Sequence, residues 1–201
     1  MAKKNVTISV AIATYNEAVK LGDCLSSVAS WVDEIVLVDG GSVDGTLEIA
    51  KRFGAKVYKR DNPSMFHINK QHAIDACTSD WILQLDADEV VSRNLHDEIS
   101  IVIRKKTVSS GYKMPRKNFF LGRFLSKGGQ YPDYTLRLYR RGKGRLPQRS
   151  VHEQAEVDGK VEYLKHPFLH YPYKNFNMYL EKWNRYNNLL AFEIRELQHN
   201  K

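Results

Sequence analysis

Three short apolar runs, Val6–Ala13 (VTISVAIA), Glu34–Asp39 (EIVLVD) and Trp81–Asp86 (WILQLD), constrain this chain more than any other feature. Each reads as a strand, the first buried on both faces at its C-terminal end and the other two buried as well. Stretches with helical spacing separate them. Asn16 is placed to cap a helix carrying Val19, Leu21, Cys24, Leu25 and Val28. Ser42 or Asp44 is placed to cap a helix over Gly45–Phe53. A short strand at Lys56–Lys59 and helices at His67–Cys77 and Leu95–Arg104 complete the series. Strand and helix in alternation mean parallel βαβ units in an α/β sheet. Ligands of such sheets bind beyond the carboxyl ends of the strands, where Asp39 and Asp86 stand.

After Arg104 the pattern changes. Gly111–Pro115, Tyr134–Tyr139 and Lys160–Leu164 read as strands. Lys117–Tyr131, with Phe119, Phe120, Phe124 and the Gly128-Gly129 pair, reads as a loop. Met178–Gln198 is an amphipathic helix. The 201 residues suit one domain, in three parts: 1–104, 105–175 and 176–201.

Charge separates these parts. Between Arg104 and Arg149 lie fourteen lysines and arginines against one acid, Asp133, while the whole chain carries a formal net charge of +8. This asymmetry suggests an anionic partner: a phosphorylated glycolipid, a membrane surface through segment 104–149, or nucleic acid. No nucleic-acid-binding motif accompanies the charge, so nucleic acid is not expected. Two widely spaced cysteines, Cys24 and Cys77, point to a reducing compartment. Thr7 and Ser9 make the first apolar run too polar for a signal peptide. The expectation is a cytoplasmic protein, associated at most peripherally with the membrane.

Three segments carry chemistry. Asp86-Ala87-Asp88-Glu89 follows a buried strand, and two carboxylates at i and i+2 can converge on one Mg²⁺ or Mn²⁺. Such an ion would neutralise charge on a departing diphosphate. Thr14-Tyr15-Asn16-Glu17 follows the first strand. Val38-Asp39-Gly40-Gly41-Ser42-Val43-Asp44-Gly45-Thr46 follows the second, where Asp39 can bond a base or ribose hydroxyl or simply belong to a glycine turn.

Together VAIATYNE, VDGGSVDGT and DWILQLDADE resemble the three ordered motifs of glycosyltransferase family 2. The resemblance implies a GT-A-type, Rossmann-like, mostly parallel sheet flanked by helices. It also implies an inverting, metal-dependent hexosyltransferase using a nucleotide-diphosphate sugar. Thr14, Glu17, Asp39 and Asp86 would contact the nucleoside, Lys70 would lie near the nucleotide, and Asp88 would ligate Mg²⁺ or Mn²⁺. Tyr131-Pro132-Asp133-Tyr134, LRLYRRGKGR, Val151-His152-Glu153 and HYPYKNFNMYLEKWNRY are similar to small bacterial lipopolysaccharide-core glucosyltransferases. That branch implies a UDP-sugar donor, with glucose the sugar expected, and a glycolipid or saccharide acceptor such as lipopolysaccharide core. Those relatives run on beyond this C-terminus, which leaves open a truncated chain or one without a membrane-proximal tail.

An inverting transfer needs a general base on the acceptor hydroxyl. Glu153 follows an Arg-rich strand and a Gly turn, as the base does in the wider family. Asp133 is the competing base, and equally a candidate for plain ion pairing. His152 is a candidate metal ligand alongside Asp88 and Asp86, with His170 an alternative that reads better as an ordinary buried histidine. Arg137, Arg140 and Arg149 suit phosphate through their bidentate forks. The rival functions are a polyprenyl-phosphate sugar synthase, a nucleotidyltransferase, which would want a phosphate-binding loop that TYNE does not supply, and an anionic-polymer or nucleic-acid binding module.

Overall fold

A computed structural model of the chain describes residues 6–63, 65–105, 107–147, 154–173 and 175–199. In chain order the elements are β1 (Ile8–Thr14), α1 (Ala18–Ser26), β2 (Glu34–Asp39), α2 (Thr46–Arg52), β3 (Lys56–Lys59), α3 (His67–Asp75), β4 (Trp81–Asp86), β5 (Glu89–Val91) and α4 (Arg93–Arg104). Then come β6 (Ser109–Phe120), β7 (Arg123–Phe124), β8 (Asp133–Arg140), β9 (Gly144–Arg145), β10 (Glu156–Val157), β11 (Lys160–Tyr163), β12 (Phe168–His170) and α5 (Phe176–His199).

The main sheet runs β3-β2-β1-β4-β8-β6-β12-β5, with β11 and β7 also paired to β6. Strands β3, β2, β1 and β4 are mutually parallel, the βαβ half expected from the alternating pattern. Beyond β4 the sheet is mixed. Strand β8 is antiparallel to β4 and β6, β12 is parallel to β6, and β5 is antiparallel to β12. Strand order reverses at β1 and β4, and a crevice opens there at the carboxyl ends. The register sets Thr14 beside Asp39 and Ala13 beside Asp86.

Alternation along β4 feeds two hydrophobic layers. Trp81, Leu83 and Leu85 pack with α1 and α4 residues such as Leu25 and Ile99, whereas Ile82 packs with Ala73, Ile74 and Leu136. Gln84 and Asp86 share the second side by the period of two, and at that end the apolar layer gives way to a polar cleft. Helix α4 starts two residues before the expected Leu95, because Ser92 caps it by accepting from the Leu95 N–H. Its buried face is Leu95, Ile99 and Ile103.

Three details differ from the sequence reading. Asn16 does not cap α1. It has a positive φ of 54°, and its Oδ1 accepts from the Val43 N–H at 2.9 Å. Asp44 does the capping for both helices, accepting from Thr46 N at 3.0 Å and from Ala18 N at 3.1 Å. The turns after β1 and β2 are thereby laced together. Lys117–Tyr131 is only partly loop: β6 continues to Phe120 and turns through Leu121 and Gly122, both at positive φ, into β7. Strands β5 and β12, of three residues each, are too short to leave a periodicity. Among the described residues no helix is long and apolar enough to cross a membrane.

Candidate active site

The crevice at the ends of β1, β4 and β8 is a cleft of about 580 Å³, lined also by Phe66, His67, Asn69 and Lys70 at α3 and by His170, Pro172, Tyr173 and Lys182. Thr14, Glu17, Lys70, Asp86, Asp88 and Arg137 all line it. They come from β1, the turn after it, α3, β4, the β4–β5 turn and β8.

Asp86 ends β4 between two cations. Lys70 of α3 pairs with its Oδ1, and Arg137 of β8 donates to its Oδ2 at 2.9 Å. Burial works against the charge, yet Lys70 and Arg137 hold the Asp86 carboxyl well below the usual carboxylate range. Arg137 also donates to the fully buried Glu89 at 2.5 Å, and Glu89 accepts from the Asp86 N–H at 2.9 Å. The turn bearing both aspartates is therefore pinned from β8.

Asp88 points elsewhere. Lys182 of α5 and Lys20 of α1 lie 3.5 and 3.7 Å from its Oδ2, and His170 Nε2 lies 3.6 Å from its Oδ1. Both lysines also donate to the Pro172 carbonyl. Asp86 and Asp88 therefore have separate partners in the structure, Lys70 and Arg137 on Asp86 and Lys20, Lys182 and His170 around Asp88. Burial pushes the His170 imidazole down to about 4. Its Nδ1 lies 2.7 Å from Asn118 Oδ1, and Asn118 Nδ2 donates to Asp133 Oδ2 at 3.1 Å. Glu17 lines the same cleft, and burial, followed by the Asp88 charge, raises its carboxyl.

Two expected residues stand apart from this cleft. Asp39 is fully buried and accepts from Thr14 Oγ1, Gly41 N, Ser42 N and Ser42 Oγ. It folds the glycine turn and is absent from the cleft lining. Asp133 is ion-paired to Arg116 at 2.7 Å and is also off the lining. His152, Glu153 and Arg149 lie outside the described residues. Arg140 turns from the cleft, donating to the Ser109 and Thr107 carbonyls.

Lys20, Lys182 and Asn118, which the sequence did not single out for the site, join these contacts, and His170, partly buried, is within 3.6 Å of Asp88. At the floor, both ends of the Gln84 amide, Thr135 Oγ1 and Arg137 Nε are buried without a hydrogen-bond partner. Among the described residues no cluster of three or more His, Cys, Asp or Glu side chains is close enough to cage a metal.

Residues 9–99 match the model of the family described as glycosyl transferase family 2. An uncharacterized glycosyltransferase of Rickettsia felis is 42% identical over 96 residues, 47% of this chain and 33% of that protein. The lipopolysaccharide core biosynthesis glycosyltransferase LpsC of Rhizobium meliloti is 28% identical over 92% of this chain and 70% of its own length. The match thus spans about a third of the first relative and more than two thirds of the second. Among solved structures, S. aureus TarS 1-349 in complex with UDP-GlcNAc superposes with a TM-score of 0.67 at 18% identity, over 87% of this chain and 61% of that one, a likeness of fold.

Proposed function

We propose that this chain, whose residues 9–99 form a glycosyl transferase family 2 domain, is an inverting glycosyltransferase that moves a hexose, glucose by our reading, from a UDP-sugar to a hydroxyl of a phosphorylated glycolipid or polysaccharide such as lipopolysaccharide core. The observation that carries this reading is the cleft itself. Thr14, Glu17, Lys70, Asp86 and Arg137 line it together, next to a facing Asp88–His170 pair. A fold neighbour solved with UDP-GlcNAc and a relative named for lipopolysaccharide core synthesis support the donor and acceptor classes.

The donor set suits a hard divalent ion. Asp88 Oδ1 and His170 Nε2 face one another at 3.6 Å, one an oxygen ligand and the other an imidazole whose second nitrogen is already bonded. Asp88 and His170 would hold Mg²⁺ or Mn²⁺. When bound, the ion supplies charge neutralisation for the diphosphate. Asp86, kept ionised by Lys70 and Arg137, is an acceptor for ribose or base N–H and O–H groups. Lys20 and Lys182 are cations at the Asp88 end, suited to charge that builds on a departing phosphate oxygen.

In the displacement, the acceptor oxygen bonds to the anomeric carbon as the bond to the diphosphate breaks. The hydroxyl proton passes to a carboxylate, which we assign to Glu153, with Asp133 second. Asp133 is less suited, since Arg116 and Asn118 already donate to its Oδ2 and it does not line the cleft itself.

Hairpin β6–β7 and the start of α5 form an aromatic surface, with Phe120 edge-on to Tyr179 and Lys117 over the Phe124 ring. Leu121, Phe176, Leu180 and Trp183 are exposed there. This surface supports a lipid-linked acceptor and peripheral contact with the inner face of the cytoplasmic membrane. It equally favours the second reading, a polyprenyl-phosphate sugar synthase, which assays with the two acceptors would separate.

Calorimetric titration with UDP and UDP-glucose, with and without Mn²⁺, tests the donor reading on wild type and Asp88→Ala. Binding should need Mn²⁺ and weaken by about 10-fold or more in the variant. Equal binding by both proteins, or none to either ligand, would overturn it.

A further inference from the structure

We infer that Asp133 and Asn118 are positioning residues that set which ring nitrogen of His170 carries the proton, leaving Nε2 bare toward Asp88. The inference rests on the reading of Asp88 and His170 as the metal pair, and it is built from hydrogen-bond direction alone.

An ionised carboxylate only accepts, so the end of the Asn118 amide that meets Asp133 Oδ2 at 3.1 Å must be its NH₂. That orientation turns Asn118 Oδ1 to His170 Nδ1 at 2.7 Å. An amide oxygen cannot donate, so Nδ1 must carry the imidazole proton. A neutral ring has one N–H, and Nε2 is left with its lone pair 3.6 Å from Asp88 Oδ1. Two acceptors facing at that distance repel unless a cation lies between them. Metal-ligating histidines are oriented in this way, through a bond from their second nitrogen.

Sheet register builds the relay. Asp133 of β8 is the partner of Arg116 on β6, and Asn118, two residues on, is the partner of His170 on β12. His170 is in turn the partner of Glu89 on β5, next to Asp88. Arg116 donates to Asp133 Oδ2 through Nε at 2.8 Å and Nη2 at 2.7 Å, which fixes the carboxylate. The Tyr171 N–H, donating to the Asp88 carbonyl at 2.9 Å, ties the far end of the relay to β12. The lone acid of the basic segment thus acts on the cleft through two other side chains.

The test is the tautomer itself. Two-bond ¹H–¹⁵N spectra of the metal-free, ¹⁵N-histidine-labelled protein at neutral pH report it, with His170 assigned by its loss in His170→Gln. Wild type should show the Nδ1–H form. Asp133→Asn lets the Asn118 amide face either way, and Asn118→Leu removes the acceptor; both should show a substantial Nε2–H population. Mn²⁺ affinity, read separately by electron paramagnetic resonance, should fall by about 10-fold in both. Unchanged signals from the other histidines certify the fold. An Nε2–H form in wild type, or a tautomer indifferent to both substitutions, would overturn the relay. Tautomer shifts as expected in a wild type that binds no Mn²⁺ would uphold the relay and remove the metal reading instead.

Discussion

On the parallel strands, acids are held largely by residues of their own turns or of the adjacent strand. Asp39 takes the N–H groups of Gly41 and Ser42, and Asp44 takes Thr46. Glu34 takes Ser9 across one strand gap and Lys56 at the start of β3. On β8, β6, β12 and β5 the polar groups find one another across the sheet: Arg137 reaches Asp86 and Glu89, Asp133 reaches Asn118, and Asn118 reaches His170. Charge in the first region makes the turns that shape the cleft. In the second it orients groups that face into the cleft. The expectation is that substitutions in the first region act on stability, and in the second on binding.

Arg137 is where that separation should fail most visibly, because it belongs to the second region and neutralises an acid of the first. Arg137→Met would leave Glu89 fully buried without its cation and Asp86 with Lys70 alone. Breaking a buried pair in this way costs about 3–5 kcal/mol. Chemical denaturation should show a loss of that size together with loss of UDP binding. A change under about 1 kcal/mol would mean that water relaxes around Glu89 and that β8 does not pin the β4–β5 turn.

Glu34 tests the first region alone. It is buried, and burial by itself would raise its carboxyl, but hydrogen bonds from Lys56, Ser9 and Thr78 bring it down to about 2. A folded-state value below the unfolded one means stability present above the ordinary glutamate value of 4.5 and lost as pH falls toward about 2. Glu34→Ala leaves Ser9 Oγ and the Thr78 N–H without their acceptor, at a cost of about 1–3 kcal/mol. The difference between wild type and variant should shrink below pH 4.5, where the native carboxylate begins to lose its advantage. UDP affinity should be unchanged. A difference that stays flat down to pH 2 would show that the acid acts through packing and not through charge.

The same contrast explains what could be read from the sequence. β1, β2, β4 and the helices between them are visible because alternation, glycine turns and capping residues are local signals. Thr14, Glu17, Lys70, Asp86 and Arg137 were legible as candidates because four of them stand on or beside those elements. Asp39 left two readings open in the sequence, a ligand contact at a strand end or a part of the glycine turn, and the structure gives its carboxylate four donors within the turn and β1. His170 and Asn118 are 52 residues apart and meet only through the register of β6 with β12. Spacing alone does not separate Asp86 from Asp88 in the triplet; their different partners, Lys70 and Arg137 against Lys20, Lys182 and His170, arrive from other elements.

Lys182 should show the smallest effect and the cleanest separation of binding from stability. It sits on α5, partly exposed, 3.5 Å from Asp88 Oδ2 and within reach of the Pro172 carbonyl. An ammonium group at that distance competes with any divalent ion for the carboxylate, by an amount that solvent reduces to the order of 1 kcal/mol. Lys182→Met should therefore tighten Mn²⁺ binding about 2- to 5-fold in the donor-free protein. It should weaken UDP binding if the same ammonium group turns to the diphosphate, and leave the denaturation midpoint where it was. Tighter Mn²⁺ with weaker UDP would identify α5 as an element that trades one partner for another as the donor arrives. Weaker Mn²⁺ would instead make Lys182 a support for the Asp88 carboxylate. The second region would then hold its acids much as the first does, and the comparison would lose its ground.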